Sequence, residues 1–355
     1  TWSSAVPLSA QELARQLSTW LAAQMKAVRK PKFYFDVHAS GTRKYVRDFV
    51  SAVGSGMPFA PPPLTLPPKK HERSFISSRR GTQDFFPDYI VLAAGMGQER
   101  VHLVDGDELG MRGLPFWHDD DLRSSKVPIQ DFEVAVFGAG DGAIQDVLRA
   151  VTKHDHPLSL IKALETAPNS IQGQLDAVMP NLASLEQQSR LFATWSGGPV
   201  YDLIDEQCEY LCEQLATDTK VRSKVQSELR AGAGTVHHVY REQHLTRAYL
   251  LNRFCIHLIH ACERASPTAT GHMRYVRHAR TDVASARPKA TPVMPGEGGV
   301  IVLSDGQTLN VDRLVVRFGP DKEWLSTHQL VRLTAQTRAD RVSMSAIPLP
   351  YVVSV

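Results

Sequence analysis

Residues 131–154, DFEVAVFGAGDGAIQDVLRAVTKH, constrain the fold more than any other part of the chain. The apolar run VAVF at residues 134–137 leads directly into three glycines and then into a helical pattern. A strand, a tight turn and a helix in this order form a repeating unit of α/β proteins built on a parallel sheet. We therefore expect an α/β fold around this segment.

The glycines of this turn follow a G-x-G-x-x-A pattern, in which Gly138 and Gly140 precede Ala143. In a dinucleotide-binding unit the first glycine permits the tight turn and the second lets a pyrophosphate approach the backbone. The small third residue lets the helix pack on the strand. The phosphates then meet the helix N-terminus. A tight strand-to-helix turn that binds no ligand is the alternative interpretation.

The sequence lacks the acidic residue that usually follows the glycines by about 20 residues, at the end of the next strand, and holds the ribose hydroxyls. Helical spacing fills residues 157–232, and the next strand pattern is TVHHVYR at residues 235–241. It ends in Arg241, with Arg247 soon after. A cation at this place suits the 2′-phosphate of NADP. Alternatively, both arginines are surface residues.

The composition is that of an ordinary globular protein, with 355 residues, 43% hydrophobic and 22% charged, and a formal net charge of +3. So small a positive charge does not predict binding to nucleic acid. The sequence shows neither a signal-peptide pattern nor a long uninterrupted apolar run. We therefore expect a cytoplasmic protein with no membrane span.

Two groups of side chains raise the question of a metal site. Cys208 and Cys212 are four residues apart in a helical pattern, and residues 119–121 are three consecutive aspartates. No second cysteine pair or nearby histidine completes the first group, which favours core thiols. Consecutive side chains point in different directions, so the aspartates favour an exposed acidic turn. We predict no metal site.

Further motifs stand on either side of the glycine turn. Residues 88–97, DYIVLAAGMG, form an apolar strand pattern that ends in small residues, including Gly95 and Gly97. The segment VYREQHLTRA follows at residues 239–248. Residues 304–321, SDGQTLNVDRLVVRFGPD, continue a preceding apolar run and predict a hairpin at their Asp-Gly pair.

In this order the motifs resemble flavoproteins with two dinucleotide-binding domains, such as thioredoxin reductases and flavin monooxygenases. The NADP turn of thioredoxin reductase, GGGDSA, is similar to GAGDGA at residues 138–143, where Gly142 stands in the place of serine. The family's basic HRR…RA segment is similar to residues 239–248. The resemblance covers roughly residues 88–321, interrupted by the helical insertion.

The resemblance implies a Rossmann-like dinucleotide-binding domain packed on part of a second α/β domain. Residues 1–130 would form a partial flavin-side region with a proline-rich connector at residues 57–70. Residues 131–290 would form the NAD(P)-binding domain, with the helical insertion at about residues 157–232. Residues 291–355 would form a β-rich segment that returns to the first domain.

The resemblance also implies an oxidoreductase that passes hydride between nicotinamide and flavin, with an unknown small-molecule substrate or acceptor. The implied cofactor is NADP or NAD. Asp141 is expected to cap the helix after the turn, and Gly95 and Gly97 to lie near the flavin. The residues implied in cofactor binding are Gly138, Gly140, Asp141, Gly142, Ala143, Arg241, Arg247, Gly95 and Gly97.

The chain departs from this family in two ways. No Cys-x-x-Cys precedes Gly138, so disulfide reductase chemistry is not expected, and residues 1–89 contain no strand, glycine turn and helix that would seat FAD. We therefore expect FAD only if an upstream segment or a partner chain completes its site. A non-catalytic dinucleotide-binding or sensing subunit of a larger complex is the alternative function.

Overall fold

A computed structural model of the chain describes residues 15, 16, 19, 64–66, 83–85, 99–103, 110–116, 122, 132–191, 199–289 and 294–319. Backbone contacts divide the chain into two compact units, and the described residues from Glu99 onward belong to one of them. In the other unit, β1 (Leu64–Leu66) pairs antiparallel with β2 (Gln83–Phe85). Thus three residues between the prolines of the predicted connector form a short strand.

The larger unit is built on a four-stranded sheet in which every pairing is parallel. Its strands are β3 (Val134–Phe137), β4 (Thr235–Val239), β5 (Arg274–His278) and β9 (Arg313–Val316). Their spatial order is β5-β4-β3-β9, so the direction of progression reverses between β3 and β9. All four residues of β3 are buried, as expected for a central parallel strand covered on both faces.

Helices follow both of the first two strands of this sheet. After β3 come α1 (Asp141–Val151), α2 (Pro157–Glu165), α3 (Gln172–Leu191), α4 (Pro199–Ala216) and α5 (Thr219–Glu228). The chain then enters β4 and continues into α6 (Leu250–Ala265), which leads to β5. The four helices α2 to α5 fall within the residues of the predicted helical insertion.

The two faces of the sheet meet different partners. Val134 and Val136 of β3 belong to a core shared with α1, α4 and α6. Their neighbours Ala135 and Phe137 point to the opposite face and pack against Ile301 and its neighbours. Alternation along the strand thus separates a helical layer from a second layer of β-structure.

The second layer is a three-stranded antiparallel sheet of β6 (Val283–Pro288), β7 (Gly299–Leu303) and β8 (Thr308–Asn310). The predicted hairpin between β7 and β8 is confirmed. Gly306 has a positive φ of 88°, and Asp305 Oδ1 accepts a hydrogen bond from Gln307 N at 3.0 Å. These are the turn roles for which an Asp-Gly pair is suited.

The described part of the predicted C-terminal segment lies against the middle region of the chain. β9 pairs with β3 along its whole length, from Val134 with Arg313 to Phe137 with Val316. Residues 299–316 therefore extend the sheet of the predicted NAD(P) domain and cover one face of it. The predicted strand at residues 88–97 lies outside the described residues. Among the described residues, no helix is long and apolar enough to cross a membrane.

Candidate functional site

Gly138 is required by the local fold of the glycine turn. Its φ is 130°, a conformation that side chains rarely adopt, and a Cβ there would lie 2.5 Å from the carbonyl oxygen of Arg317. Its own N–H donates to Val239 O at 3.0 Å, which ties the end of β3 to the end of β4. Ala143 is fully buried beside it, so α1 packs closely on the turn.

Gly140 is in a different situation. It is the N-cap residue of α1, its φ is −92°, and a Cβ there would meet no atom of the described residues within 4 Å. The fold itself therefore does not require glycine at this position. The sequence predicts that a pyrophosphate approaches the backbone at this second glycine, and the described residues leave space for it there.

Gly142 has a packing role. A Cβ there would lie 3.3 Å from the ring of Phe116, and the guanidinium of Arg317 lies over the same ring at 5.4 Å from its centroid. Phe116 is held through its backbone N–H, which donates to Glu99 Oε2 at 2.6 Å. The glycine therefore lets the first turn of α1 contact an aromatic side chain closely.

The N-cap residue of α1 is a glycine, which has no side chain with which to cap the helix. The first N–H groups of a helix have no partner within the helix, and the helix dipole concentrates partial positive charge there. Because β3 is parallel to its neighbours, this N-terminus lies at the edge of the sheet where the strands end. An anion that approached Gly140 would meet these N–H groups.

Asp141 binds the neighbouring helix instead of capping α1, which corrects the expectation from the sequence. Its Oδ1 accepts hydrogen bonds from Tyr249 N at 2.7 Å and from Asn252 Nδ2 at 2.6 Å. Tyr249 is the N-cap residue of α6, so the carboxylate joins the starts of two helices. Burial raises the pKa of Asp141, and the two hydrogen bonds oppose that rise.

Arg241 and Arg247 follow β4 at the same edge of the sheet as the glycine turn. Arg241 Nε lies 2.8 Å from Asp282 Oδ2, and its side chain is 69% exposed. Arg247 Nη1 lies 3.7 Å from Glu242 Oε1, and its side chain is 46% exposed. The structure thus brings both arginines to the predicted edge, each beside a carboxylate. Gly95 and Gly97 lie outside the described residues.

The sequence analysis missed His238, which contacts the glycine turn directly. Its ring is completely buried, and Nε2 lies 2.7 Å from Gly138 O. Its Nδ1 lies 3.1 Å from the hydroxyl of Tyr275 on β5. Burial lowers the pKa of His238 to about 4. The strand pattern of residues 235–241 contained a signal, because alternation places His238 on the same buried face as Val236.

Of the potential metal ligands in the sequence, Cys208 and Cys212 lie among the described residues and residues 119–121 lie outside them. Cys208 and Cys212 are buried in the helical core, and burial raises the pKa of the Cys212 thiol well above its usual value. A thiol in such surroundings resists forming the thiolate that binds metals. Within the described part of the chain, no group of three or more histidine, cysteine, aspartate or glutamate side chains is placed to hold a metal ion.

A buried charged cluster lies between α4 and α6, behind the start of α6. Asp205 is fully buried and accepts hydrogen bonds from Leu245 N at 2.8 Å and from His257 Nε2 at 3.0 Å. Arg253, 2% exposed, has its Nη1 3.5 Å from the same carboxylate. These bonds attach the loop after β4 to the helical insertion, so the insertion supports the side of the candidate site.

Comparison of the chain with protein-family models, curated proteins and solved structures found no match.

Proposed function

We propose that residues 132–319 form a Rossmann-like domain that binds a dinucleotide, and that the protein is a flavin- and NAD(P)H-dependent oxidoreductase. One observation carries the proposal. An uncapped helix N-terminus follows the central strand β3, and the backbone beside it is open at Gly140. Open backbone and outward N–H groups together suit a pyrophosphate.

The strand order supports the proposal. Taken in chain order, the four parallel strands lie as third, second, first and fourth across the sheet. This is the order of one mononucleotide-binding half of the doubly wound fold and the start of the next. In open parallel sheets, ligands bind beyond the carboxyl ends of the strands where the order reverses. Here that point lies between β3 and β9, beside the glycine turn.

The roles of the residues follow from their positions. The backbone at Gly140 and the first N–H groups of α1 would bind the pyrophosphate, with the N–H groups donating hydrogen bonds to its oxygens. Arg241 and Arg247, at the end of β4, would bind the 2′-phosphate of NADP. Hydride transfer between nicotinamide and flavin is chemistry that the cofactors supply, so the chain's own contribution would be to bind and orient the dinucleotide.

Flavin binding would need residues beyond those that form this site. The described residues place one glycine turn at the end of a parallel strand, and it is assigned to the nicotinamide dinucleotide. Residues outside the described ones, or a partner chain, would complete the FAD site. The electron acceptor stays unassigned in this proposal.

A non-catalytic dinucleotide-binding subunit is the second candidate function. The pairing of Arg241 with Asp282 and of Arg247 with Glu242 favours it, because each carboxylate competes with a 2′-phosphate for the guanidinium. In that case the site would bind its nucleotide weakly and report its concentration.

Calorimetric titration of the full chain with NADP and with NAD tests the proposed site. We expect saturable binding of NADP with one site per chain, and weaker binding of NAD. Absence of binding to both would overturn the proposal. An absorption spectrum of the protein from its native source separates the two functions, because a flavin band supports the oxidoreductase and a colourless NADP-binding protein supports the subunit.

A further inference from the structure

His238 forms a hydrogen-bonded line from β5 to the glycine turn. The hydroxyl of Tyr275 lies 3.1 Å from Nδ1, and Nε2 lies 2.7 Å from the carbonyl oxygen of Gly138. His238 is 0% exposed and Tyr275 is 4% exposed. The line therefore lies inside the core, on the face of the sheet that packs against α1 and α6.

The two groups that His238 contacts, the Tyr275 hydroxyl and the Gly138 carbonyl, determine which ring nitrogen carries the proton. A carbonyl oxygen only accepts hydrogen bonds, so His238 must carry its proton on Nε2 and donate a hydrogen bond to the Gly138 carbonyl. Nδ1 is then an acceptor, and the Tyr275 hydroxyl donates a hydrogen bond to it. A neutral ring fits this arrangement, in agreement with a pKa lowered to about 4 by burial.

The hydrogen bond to Gly138 also orients the next N–H group. In a trans peptide the carbonyl oxygen and the following N–H point in opposite directions. Because the carbonyl of Gly138 points at His238, the N–H of Ala139 points away from His238. Among the described residues, no hydrogen-bond partner is found for the N–H of Ala139 or of Gly140.

These N–H groups precede the first turn of α1, whose own N–H groups also lack a side-chain cap. Successive backbone N–H groups in a turn form a concavity that binds anions. Gly138 has a φ of 130° and no Cβ, so its backbone can rotate with less steric hindrance than that of other residue types. Without the hydrogen bond from His238 to the Gly138 carbonyl, the Gly138–Ala139 peptide would be the least constrained part of the concavity.

Packing of the core alone does not explain a histidine at position 238. A buried imidazole loses its hydration, and that cost is offset only when both ring nitrogens are paired. Here both are paired, one with the turn and one with Tyr275. The pairing therefore stabilises one orientation of the Gly138 peptide as well as the core.

We propose that His238, oriented by Tyr275, is a positioning residue that holds the Gly138–Ala139 peptide with its N–H directed at the pyrophosphate of the bound dinucleotide. This inference rests on the proposed function. β4 then contributes to the site in two ways, because His238 positions the glycine turn and Arg241 follows the end of the strand.

Two substitutions of His238 separate positioning from packing. In His238→Gln the side-chain amide retains a donor near the place of Nε2, whereas His238→Met fills a similar volume without one. We expect both to lower the unfolding midpoint. NADP affinity should stay within about threefold of the wild type for glutamine and fall about tenfold for methionine, the effect of losing one ordered hydrogen bond.

Nitrogen-15 NMR of His238 in the free wild-type chain tests the line without any ligand. We expect a protonated Nε2 and a bare Nδ1 at neutral pH. In Tyr275→Phe the Gly138 carbonyl should keep the proton on Nε2, but Nδ1 loses its hydrogen-bond donor and the ring is less firmly oriented, so NADP affinity should fall by a few-fold. This variant keeps the inference testable if His238→Met does not fold.

The outcomes distinguish the inference from the proposed function. A wild-type chain that binds neither NADP nor NAD overturns the proposed function, and with it the role in binding. A wild type that binds NADP, but whose His238 is protonated on Nδ1, overturns the positioning role alone. Equal affinities in the glutamine and methionine variants, or an unchanged affinity in Tyr275→Phe, also overturn it.

Discussion

Arg317 Nε donates a hydrogen bond to Asp146 Oδ2 at 2.7 Å, and the two side chains are 6% and 1% exposed. The pair joins the residue after β9 to the middle of α1. Arg317 also donates to the carbonyl oxygen of Leu114 at 2.6 Å, and its own carbonyl stands where a side chain at Gly138 would be. The end of β9, the glycine turn and α1 are therefore held in one arrangement.

Asp146→Ala should destabilise the protein by about 3–5 kcal/mol, because it leaves the guanidinium of Arg317 buried without its carboxylate. Urea unfolding measures the change in the free energy of unfolding. Asp176→Ala in α3 is the matched control, since Asp176 is an exposed helical aspartate, and it should change stability by no more than about 0.5 kcal/mol. Equal effects of the two substitutions would contradict a structural role for the buried pair.

Substitutions at the first two glycines should have opposite consequences. Gly138→Ala should destabilise the fold by about 1–3 kcal/mol or more, because its φ is 130° and the new Cβ would meet the Arg317 carbonyl. Gly140→Val should leave the fold intact, because its φ suits any residue and its surroundings are open. It should abolish dinucleotide binding. Circular dichroism and calorimetry measure the two properties.

A folded Gly140→Val variant with unchanged NADP affinity would remove the glycine turn from the site. The comparison with Gly138→Ala matters because a loss of binding there has two causes, unfolding and blockage. At Gly140 the structure leaves blockage as the only expected cause.

Sequence patterns predicted the parts of the fold that are local. The strand before Gly138, the four-helix insertion, β4, α6 and the Asp305–Gly306 hairpin all depend on periodicity or turn chemistry within a few residues. These patterns do not specify which strand lies beside which. β9 pairs with β3, and this pairing makes the strand order reverse beside the glycine turn. The two strands are about 180 residues apart in the sequence, so no local pattern predicts their pairing.

The candidate site shows the same division. The tight turn at Gly138 could be predicted, because it follows from backbone geometry in a known motif. The partners of the motif could not, since His238 is 100 residues from Gly138 and Arg317 is 171 residues from Asp146. Asp141 shows the cost of local reasoning alone. Its position favours a cap of α1, but a helix start more than 100 residues away supplies its hydrogen-bond donors.

Arg241→Ala tests the selection of NADP over NAD. A charge-assisted hydrogen bond to the 2′-phosphate contributes about 1.5–3 kcal/mol, so NADP should bind about tenfold or more weakly while NAD is nearly unaffected. Arg264→Ala is the matched control, because Arg264 and Glu213 form a similarly exposed ion pair at 2.9 Å on the helical layer. An equal loss for NADP and NAD in Arg241→Ala would make Arg241 a structural residue.

Acid should destabilise the protein through His238. Burial lowers its pKa in the folded protein to about 4, whereas the unfolded chain has an ordinary histidine pKa of about 6.5. Between these values the unfolded state binds the proton and the folded state does not, so stability falls as the pH is lowered from about 6.5 to about 4. The loss should be on the order of 3 kcal/mol.

His238→Gln should reduce the slope of stability against pH in this interval, because glutamine does not titrate. Some slope should remain, since burial also lowers the pKa of His260 to about 4. Urea unfolding at a series of pH values measures both slopes. Identical slopes for the wild type and the variant would show that His238 titrates normally in the folded protein.

Asp141→Asn should strengthen dinucleotide binding by a few-fold, because it removes a negative charge from the start of α1, where the pyrophosphate is proposed to bind. Asparagine keeps the oxygen that accepts from Tyr249 N and Asn252 Nδ2, so stability should change by less than about 1 kcal/mol. Asp141→Ala loses both bonds and should cost about 1–3 kcal/mol. Because the pKa of Asp141 is raised by burial, the advantage of the asparagine variant in NAD titrations should shrink as acid protonates the wild-type carboxylate. An asparagine variant whose NAD affinity equals that of the wild type at every pH would place the pyrophosphate away from Asp141.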